Sequence, residues 1–293
     1  MGAAEPEPGG RSPAVPVGRA VELPGRGTTF VRELPGPVGA PTLLLLHGWT
    51  VTADLNWFTC YDSLGDHFRV VALDHRGHGR GIKAKEPFTL EACADDAAAL
   101  LDVLGIDTVV PVGYSMGGAI AQLVWRRHCE RVSGLVLSAT SRTFNTNRSE
   151  ALSFLGLGGL AVISRLAPDQ AREWMAEQFI ARKGRTYEDW ALAQVRGNDI
   201  TNVLEAGSAL GRFSSREWVT NIDLPSAVVV TMQDRTVPTR RQLRLAESLP
   251  NSRVFRVAAG HDATFSAADR FVPALLDACL DVAGRIRISD QRA

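Results

Sequence analysis

Ser115, Asp234 and His261 are the side chains of this 293-residue chain best suited to covalent chemistry as a group. A serine hydroxyl is a poor nucleophile at neutral pH, so a base must take its proton as it attacks. An imidazole serves as that base when an acid holds its tautomer and offsets the imidazolium charge. Ser115 lies in Gly113-Tyr114-Ser115-Met116-Gly117, directly after a β-branched run at 108–112 and at the head of a helical pattern at 116–128. A serine between strand end and helix start sits on a sharp turn with room only for small neighbours, which Gly113 and Gly117 provide. The turn lifts Oγ clear of the sheet and sets a helix N-terminus behind it, where positive partial charge favours a developing oxyanion.

His261 follows Ala258-Ala259-Gly260, just beyond a strand candidate at 253–257, so it lies on a loop at the same sheet edge as Ser115. His47, His75 and His78 all precede Ser115 and occupy other turns. Asp234 comes where the apolar run at 226–231 gives way to a loop and Pro238 can open a helix. An acid after the preceding strand is the alternative, but Ser138-Ala139-Thr140 offers no carboxylate, and Asp262 adjoins His261 and points the wrong way along the chain. The chain order Ser, Asp, His fits a nucleophile on a strand-to-helix elbow. Two backbone N–H groups should meet the oxyanion of a tetrahedral intermediate. Met116, next after the serine, supplies one, and Trp49 supplies the other, because Gly48 in His47-Gly48-Trp49 lets the backbone approach closely. His47 is expected to orient that turn.

These residues need a scaffold, and the hydrophobic pattern describes one. Short apolar runs at 42–46, 68–73, 108–112, 132–137, 227–231 and 253–257 alternate with helical patterns at 57–66, 90–104, 116–128, 239–248 and 263–282. Continuous apolar runs are expected of strands covered on both faces. Strand and helix in alternation imply parallel pairing through right-handed crossovers, hence an α/β fold with a doubly wound, mostly parallel sheet. Residues 20–23 and 28–34, around Pro24-Gly25-Arg26-Gly27, predict an antiparallel hairpin at the sheet edge. Reactive loops then gather beyond the carboxyl ends of the strands.

Together, His47-Gly48, Asp74-His75-Arg76-Gly77-His78-Gly79, the Gly113–Gly117 pentapeptide, Asp234 and Gly260-His261 resemble the α/β-hydrolase superfamily, specifically its capped serine hydrolases. The resemblance covers roughly residues 42–262. It implies that Asp74, His75, Arg76 and His78 form a structural turn, and that residues 141–221, where the alternation stops, form a helical cap between core segments 19–140 and 222–293. Ser115 at the nucleophile position disfavours the epoxide hydrolase and haloalkane dehalogenase chemistries, which use Asp there. The first loop also lacks the HGGG form of some lipases. Within the cap, the glycine-rich stretch 151–166 reads either as an ordinary buried helical segment or as an apolar flap.

The expected function is hydrolysis of a small-molecule carboxylic ester through an acyl-enzyme, with no metal or organic cofactor. Phe154, Leu155, Leu157, Leu160, Trp174 and Phe179 suggest an apolar acyl pocket of medium length. Cofactor-free perhydrolysis, as in haloperoxidase-like relatives, and carbon–carbon bond hydrolysis would use the same three residues. A non-catalytic ligand-binding module on the same scaffold is the reading of another class.

Composition sets the remaining bounds. Lys+Arg and Asp+Glu are both 32, so no global field draws nucleic acid or an anionic membrane. Cys60, Cys93, Cys129 and Cys279 show no CxxC or metal-ligand spacing and read as buried free thiols of a reducing compartment. Residues 1–18, rich in Pro, Gly and Ala, read as a disordered tail without the marks of a secretory signal. No apolar run approaches the ~20 residues of a bilayer span. A cytoplasmic location follows from these readings.

Overall fold

The alternation of apolar runs and helical patterns resolves, in a computed structural model, into one eight-stranded sheet with helices on both faces. The structure describes residues 13–183 and 189–290, with side chains at all but 179–183 and 287–290. In chain order the elements are β1 (Gly18–Leu23), β2 (Gly27–Leu34), β3 (Thr42–Leu46), α1 (Ala53–Trp57), α2 (Tyr61–Gly65), β4 (Arg69–Leu73), α3 (Leu90–Val103), β5 (Val110–Tyr114), α4 (Met116–Arg127) and β6 (Leu135–Ser138). Four helices follow before the next strand: α5 (Arg148–Leu166), α6 (Asp169–Lys183), α7 (Asp189–Arg196) and α8 (Ile200–Arg212). The chain closes with β7 (Ser226–Thr231), α9 (Thr239–Ser248), β8 (Ser252–Val257), α10 (Ala263–Ser266) and α11 (Ala268–Asp290).

The strand order is β1-β2-β4-β3-β5-β6-β7-β8. The β1–β2 hairpin is antiparallel and joins β4 antiparallel, and all later pairings are parallel. The apolar strands are explained by burial on both sides. Leu44, Leu46, Val71, Leu73, Leu135, Leu137, Val228 and Val230 face one core cluster, and their alternates Leu43, Leu45, Val70, Ala72, Val136, Ala227 and Val229 face the other. The order turns back at β3, which pairs with both β4 and β5, so the loops after β3 and β5 open a crevice at the carboxyl ends.

Several boundaries differ from expectation, each for a local reason. The strand before Ser115 runs two residues further, to Tyr114, because Leu46 pairs with Gly113 and Ser138 with Tyr114. Extended pairing thus carries the chain right up to the serine. The helix expected at 57–66 is two short helices, the first starting at Ala53 because the Thr52 side chain caps the Leu55 N–H. The last helix breaks at Ala267 and runs on to Asp290. The tail expected at 1–18 falls partly outside the described residues; within them, Val15 packs on the core and Arg32 donates to the Pro16 carbonyl. Cys60, Cys93 and Cys279 are buried thiols, whereas Cys129 is exposed, since it follows the end of α4 in a single 3-10 turn at the surface.

Two ionic anchors hold the hairpin and the 74–80 turn onto α3. Asp96, 2% exposed, accepts two hydrogen bonds from Arg76 at 2.7 Å and one from Arg26 at 2.6 Å. Removing one member of a buried pair strands the other's charge, at a cost of about 3–5 kcal/mol. Asp96→Asn is therefore expected to destabilise the fold by about that much. Urea unfolding measures it, and an unchanged midpoint would contradict the anchoring role.

Helix α5 is the largest surprise of the 148–212 insertion. Of its glycines, expected to weaken a helix, only Gly158 faces α8, where a Cβ would lie 2.9 Å from Ser208 Oγ; the glycines that let α5 and α8 approach closely are on α8. A Cβ on Gly211 would lie 2.3 Å from Phe154, and one on Gly207 would lie 2.6 Å from Leu157. The helix is not an ordinary buried segment, because Leu152, Leu155, Leu160, Val162, Ile163 and Leu166 are all exposed. By length and composition alone, it is the one described helix apolar enough to cross a membrane, which corrects the expectation that no run comes close.

Candidate active site

The elbow begins with backbone strain. Ser115 has φ 53° and ψ −114°, a region that a residue with a Cβ adopts only when its surroundings impose it. The surroundings do so here: Ser115 N–H donates to the Ser138 carbonyl at 2.9 Å, and the Ser115 carbonyl accepts from Thr140 Oγ1 at 2.7 Å and from Gly118 N–H at 3.0 Å. Gly113 and Gly117 are required by contact. A Cβ on Gly113 would lie 2.3 Å from the Gly117 carbonyl oxygen, and one on Gly117 would lie 2.0 Å from the Leu46 carbonyl oxygen.

The three residues singled out from far-apart segments converge at this elbow. His261 Nε2 is 3.0 Å from Ser115 Oγ, and His261 Nδ1 is 2.7 Å from Asp234 Oδ2. The consistent proton placement has Nδ1–H donating to Asp234 and Nε2 accepting from the Ser115 hydroxyl. The Asp234 carboxylate is fully saturated. Oδ1 accepts from the N–H groups of Thr236 and Val237, both at 2.8 Å, while Oδ2 also accepts from Thr231 Oγ1 at 2.8 Å and Gln242 Nε2 at 3.1 Å. Such a carboxylate stays put while it orients the ring. Asp262, the rival acid, makes no contact with the imidazole nitrogens among the described residues.

Three supporting residues went unnoticed in the sequence. Tyr114 donates from its hydroxyl to the His261 carbonyl at 2.8 Å, fixing the loop that carries His261. Burial first, and the Asp234 charge second, push the Tyr114 phenol far above its usual range, so it remains a donor. Its place inside the pentapeptide was the available signal. Gln242 braces Thr231 and Asp234 from α9, and Asn56 Oδ1 accepts the Gly48 N–H at 2.9 Å. Neither had a sequence signal, because each acts across a helix–loop contact.

That Asn56 bond bears on the donors expected from the sequence. With the Gly48 N–H engaged, the Trp49 N–H is the next one in the loop after β3, and Met116 opens the first turn of α4, where backbone N–H groups lack intrahelical partners. The Trp49 indole donates to the Val203 carbonyl at 2.8 Å, so α8 pins this loop from above.

Two cavities meet at Ser115 and His261. One, of about 420 Å³, is rimmed by Asn56, Gln233, Arg235, Asp262 and Phe265. The other, of about 400 Å³, is walled by Phe144, Phe154, Leu210 and Val237, with Glu150 its single carboxylate among the described residues. Both lie in the size range of small-molecule sites. Of the six apolar residues expected to line an acyl pocket, only Phe154 does. Leu155, Leu160 and Trp174 point to solvent, Leu157 packs between α5 and α8, and the Phe179 side chain lies outside the described residues. Periodicity in a helix that is apolar all round cannot say which face turns inward.

His47, His75 and His78 form a buried cluster behind the loop after β3, with the His47 ring 4.2 Å from His75 and 5.5 Å from His78. His47 Nε2 accepts the His75 N–H at 2.9 Å, consistent with an orienting role, and both His75 ring nitrogens lack partners among the described residues. Burial, reinforced by repulsion from neighbouring rings, lowers His47 well below its usual range and His75 to about 3. Burial likewise brings His78 to about 4. Because the folded values are depressed, the unfolded chain binds more protons below about pH 6.5. The cluster's stabilisation is thus complete above that pH and is lost as the pH falls toward 4. With three rings titrating only on unfolding, the slope approaches about 4 kcal/mol per pH unit. Chemical unfolding at pH 7.5, 6.0 and 5.0 should show this steep fall, and His75→Gln should flatten it.

Comparison with known proteins agrees with the architecture. A family model described as alpha/beta hydrolase fold matches residues 41–268. A protein named as a carbamate hydrolase in Agrobacterium fabrum is 32% identical over 222 residues, covering 73% of this chain and 82% of its own length. A pimeloyl-acyl-carrier-protein methyl ester esterase of Aromatoleum aromaticum is 31% identical over 237 residues, covering 74% of this chain and 88% of its own. The solved structure of a thermophilic esterase from Thermogutta terrifontis superposes with a TM-score of 0.73 at 22% identity, over 91% of this chain and 99% of that one. The sheet order, the elbow and the family match converge on one conclusion: the chain belongs to the α/β-hydrolase fold family of enzymes.

Proposed function

We propose that the chain is a serine hydrolase that cleaves carboxylic esters by two-step acyl transfer, with residues 141–221 acting as a cap over the site. The observation that carries this reading is the 3.0 Å approach of His261 Nε2 to Ser115 Oγ, with Asp234 at 2.7 Å on the far side of the ring. Ser115 Oγ attacks the carbonyl carbon while its proton passes to His261 Nε2, and Asp234 stabilises the resulting imidazolium. The Trp49 and Met116 N–H groups stabilise the oxyanion. Collapse of the tetrahedral adduct breaks the ester C–O bond, and the leaving alkoxide takes the proton from Nε2. Water, deprotonated by the same nitrogen, then releases the acid and restores the serine. Similarity to a methyl ester esterase supports an ester substrate.

A fluorophosphonate probe tests the reading, since it forms a stable adduct only with an activated serine. Stoichiometric labelling at Ser115, located by mass spectrometry and blocked by a slowly hydrolysed ester, is expected. No labelling, with ligand binding intact, would instead support the non-catalytic module. Carbamate cleavage by the same attack is a second reading, supported by the relative named for that activity. Turnover of aryl carbamates as fast as the matching esters would favour it.

A further inference from the structure

The cavity walled by Phe144, Phe154, Leu210 and Val237 carries polar groups at Thr50, Thr236, Ser115 and His261, and Glu150 is its one carboxylate among the described residues. Glu150 is set in the first turn of α5, where its N–H is capped by Asn147 Oδ1 at 2.9 Å. Its side chain is not free to swing away. Oε1 accepts from Arg241 Nη2 at 2.6 Å, and Oε2 accepts from the Thr146 N–H at 2.8 Å and from Thr146 Oγ1 at 3.2 Å. Burial alone would raise this carboxyl, but the Arg241 and Thr146 hydrogen bonds outweigh it and hold Glu150 below the usual range, hence ionised at neutral pH.

The pair is asymmetric toward the cavity. Arg241 is 8% exposed and spends its other Nη on the Phe144 carbonyl, so it stands behind the wall, whereas Glu150, 29% exposed, lines it. A ligand there meets the negative end of an ion pair in a partly buried site, where charge counts for more than in bulk water. Oε1, which accepts one bond, also retains lone-pair capacity for a further donor. The other charged lining residues, Arg235 and Asp262, belong to the first cavity.

We propose that Glu150 is a specificity-determining residue of the acyl site: the acyl chain enters the apolar cavity, and Glu150 rejects chains ending in a carboxylate while accepting neutral ends, hydrogen-bond donors and cations. The substrate class is therefore medium-chain esters without a distal acid, and half-esters of dicarboxylic acids are excluded. This inference rests on the serine-hydrolase reading and adds a sign of charge to it.

The test uses p-nitrophenyl esters of three matched chains: hexanoate, adipate with its free distal carboxylate, and hexanoate ended in a trimethylammonium group. Moving any charge into an apolar site costs desolvation, so the decisive quantity is the cation-to-anion ratio of kcat/KM, in which that cost largely cancels. The wild-type ratio is expected to exceed about tenfold, the effect of one charge pair in a partly buried site. In Glu150→Gln, whose amide oxygen can still accept from Thr146, it should fall toward unity. Should that variant unfold, Glu150→Asp, which draws the charge back by one methylene, should lower the ratio part-way. A wild-type ratio near one, or a ratio unchanged in a folded variant, overturns the inference while leaving the hydrolase reading intact. Failure of all three esters, with no Ser115-dependent turnover, overturns the hydrolase reading itself.

Discussion

Ser115→Ala is expected to lower kcat on p-nitrophenyl hexanoate by about a millionfold, with the fold unchanged. The size of the effect follows from what Oγ does and what it does not do. Its one hydrogen-bond partner among the described residues is His261, so its removal deletes the proposed nucleophile and leaves no buried group stranded. The bonds that hold the elbow come from backbone atoms of residue 115, namely its N–H to Ser138 and its carbonyl from Thr140 and Gly118, and alanine keeps all three. Alanine also carries the Cβ that already tolerates φ 53°. Stability should therefore shift by no more than about 1 kcal/mol, the range of a single neutral hydrogen bond. Because serine and imidazole act as a unit, His261→Ala should cost nearly as much, and the double variant little more than either alone. Asp234→Asn should lose about 10⁴-fold, since the saturated carboxylate sets the tautomer rather than the bond-making step. Retention of a tenth of wild-type turnover by pure Ser115→Ala would show that another group is the nucleophile.

The sequence made the candidate catalytic residues legible because their chemistry and their local structure coincide. A strand, an elbow glycine, a serine and a helix start occupy one short segment, and the register of β5 against β3 and β6 then places that segment without further information. Asp234 and His261 were legible for the same reason, each at the carboxyl end of a parallel strand. The second layer was not. Gln242 reaches Asp234 from one turn inside α9, and Asn56 reaches Gly48 from α1. Such contacts depend on how helices rotate against the sheet, which periodicity constrains only to a broad face.

The 148–212 insertion was the least legible part, and α5 shows why. Its Leu, Val, Ile and Phe residues surround the helix, so no amphipathic stripe declares an inner face. What turns Phe154 and Leu157 inward is the space left by Gly211 and Gly207 on α8, far away in the chain. A glycine in the sequence is ambiguous between helix breaker and packing notch, and only the partner helix resolves the ambiguity. The result is a wall whose single carboxylate among the described residues, Glu150, was not singled out by the sequence.

Gly117→Ala is expected to abolish activity and to destabilise the fold severely, although Gly→Ala inside a helix ordinarily stabilises by about 0.5–1 kcal/mol. The difference lies in what the added methyl meets. At residue 117 it would lie 2.0 Å from the Leu46 carbonyl oxygen, 2.5 Å from the Leu46 carbonyl carbon and 2.7 Å from the His47 carbonyl oxygen. All three are backbone atoms, and two belong to Leu46, the last residue of β3, which pairs with Leu73 and Gly113 in the middle of the sheet, so it cannot move aside cheaply. Relief requires α4 to lift away from β3. That motion shifts the Met116 N–H on α4 relative to the loop after β3 and carries Ser115 away from His261. Overpacking of this kind costs typically 1–3 kcal/mol where side chains can yield, and more is expected where only backbone is in the way. Gly159→Ala supplies the control, since its Cβ would meet nothing within 4 Å and the helix propensity gain should appear unopposed. Thermal melts and ester turnover on the two variants should therefore diverge in opposite directions. A Gly117→Ala protein that melts with the wild type and keeps its turnover would mean that the elbow does not press on β3, and the oxyanion pair would have to be sought elsewhere.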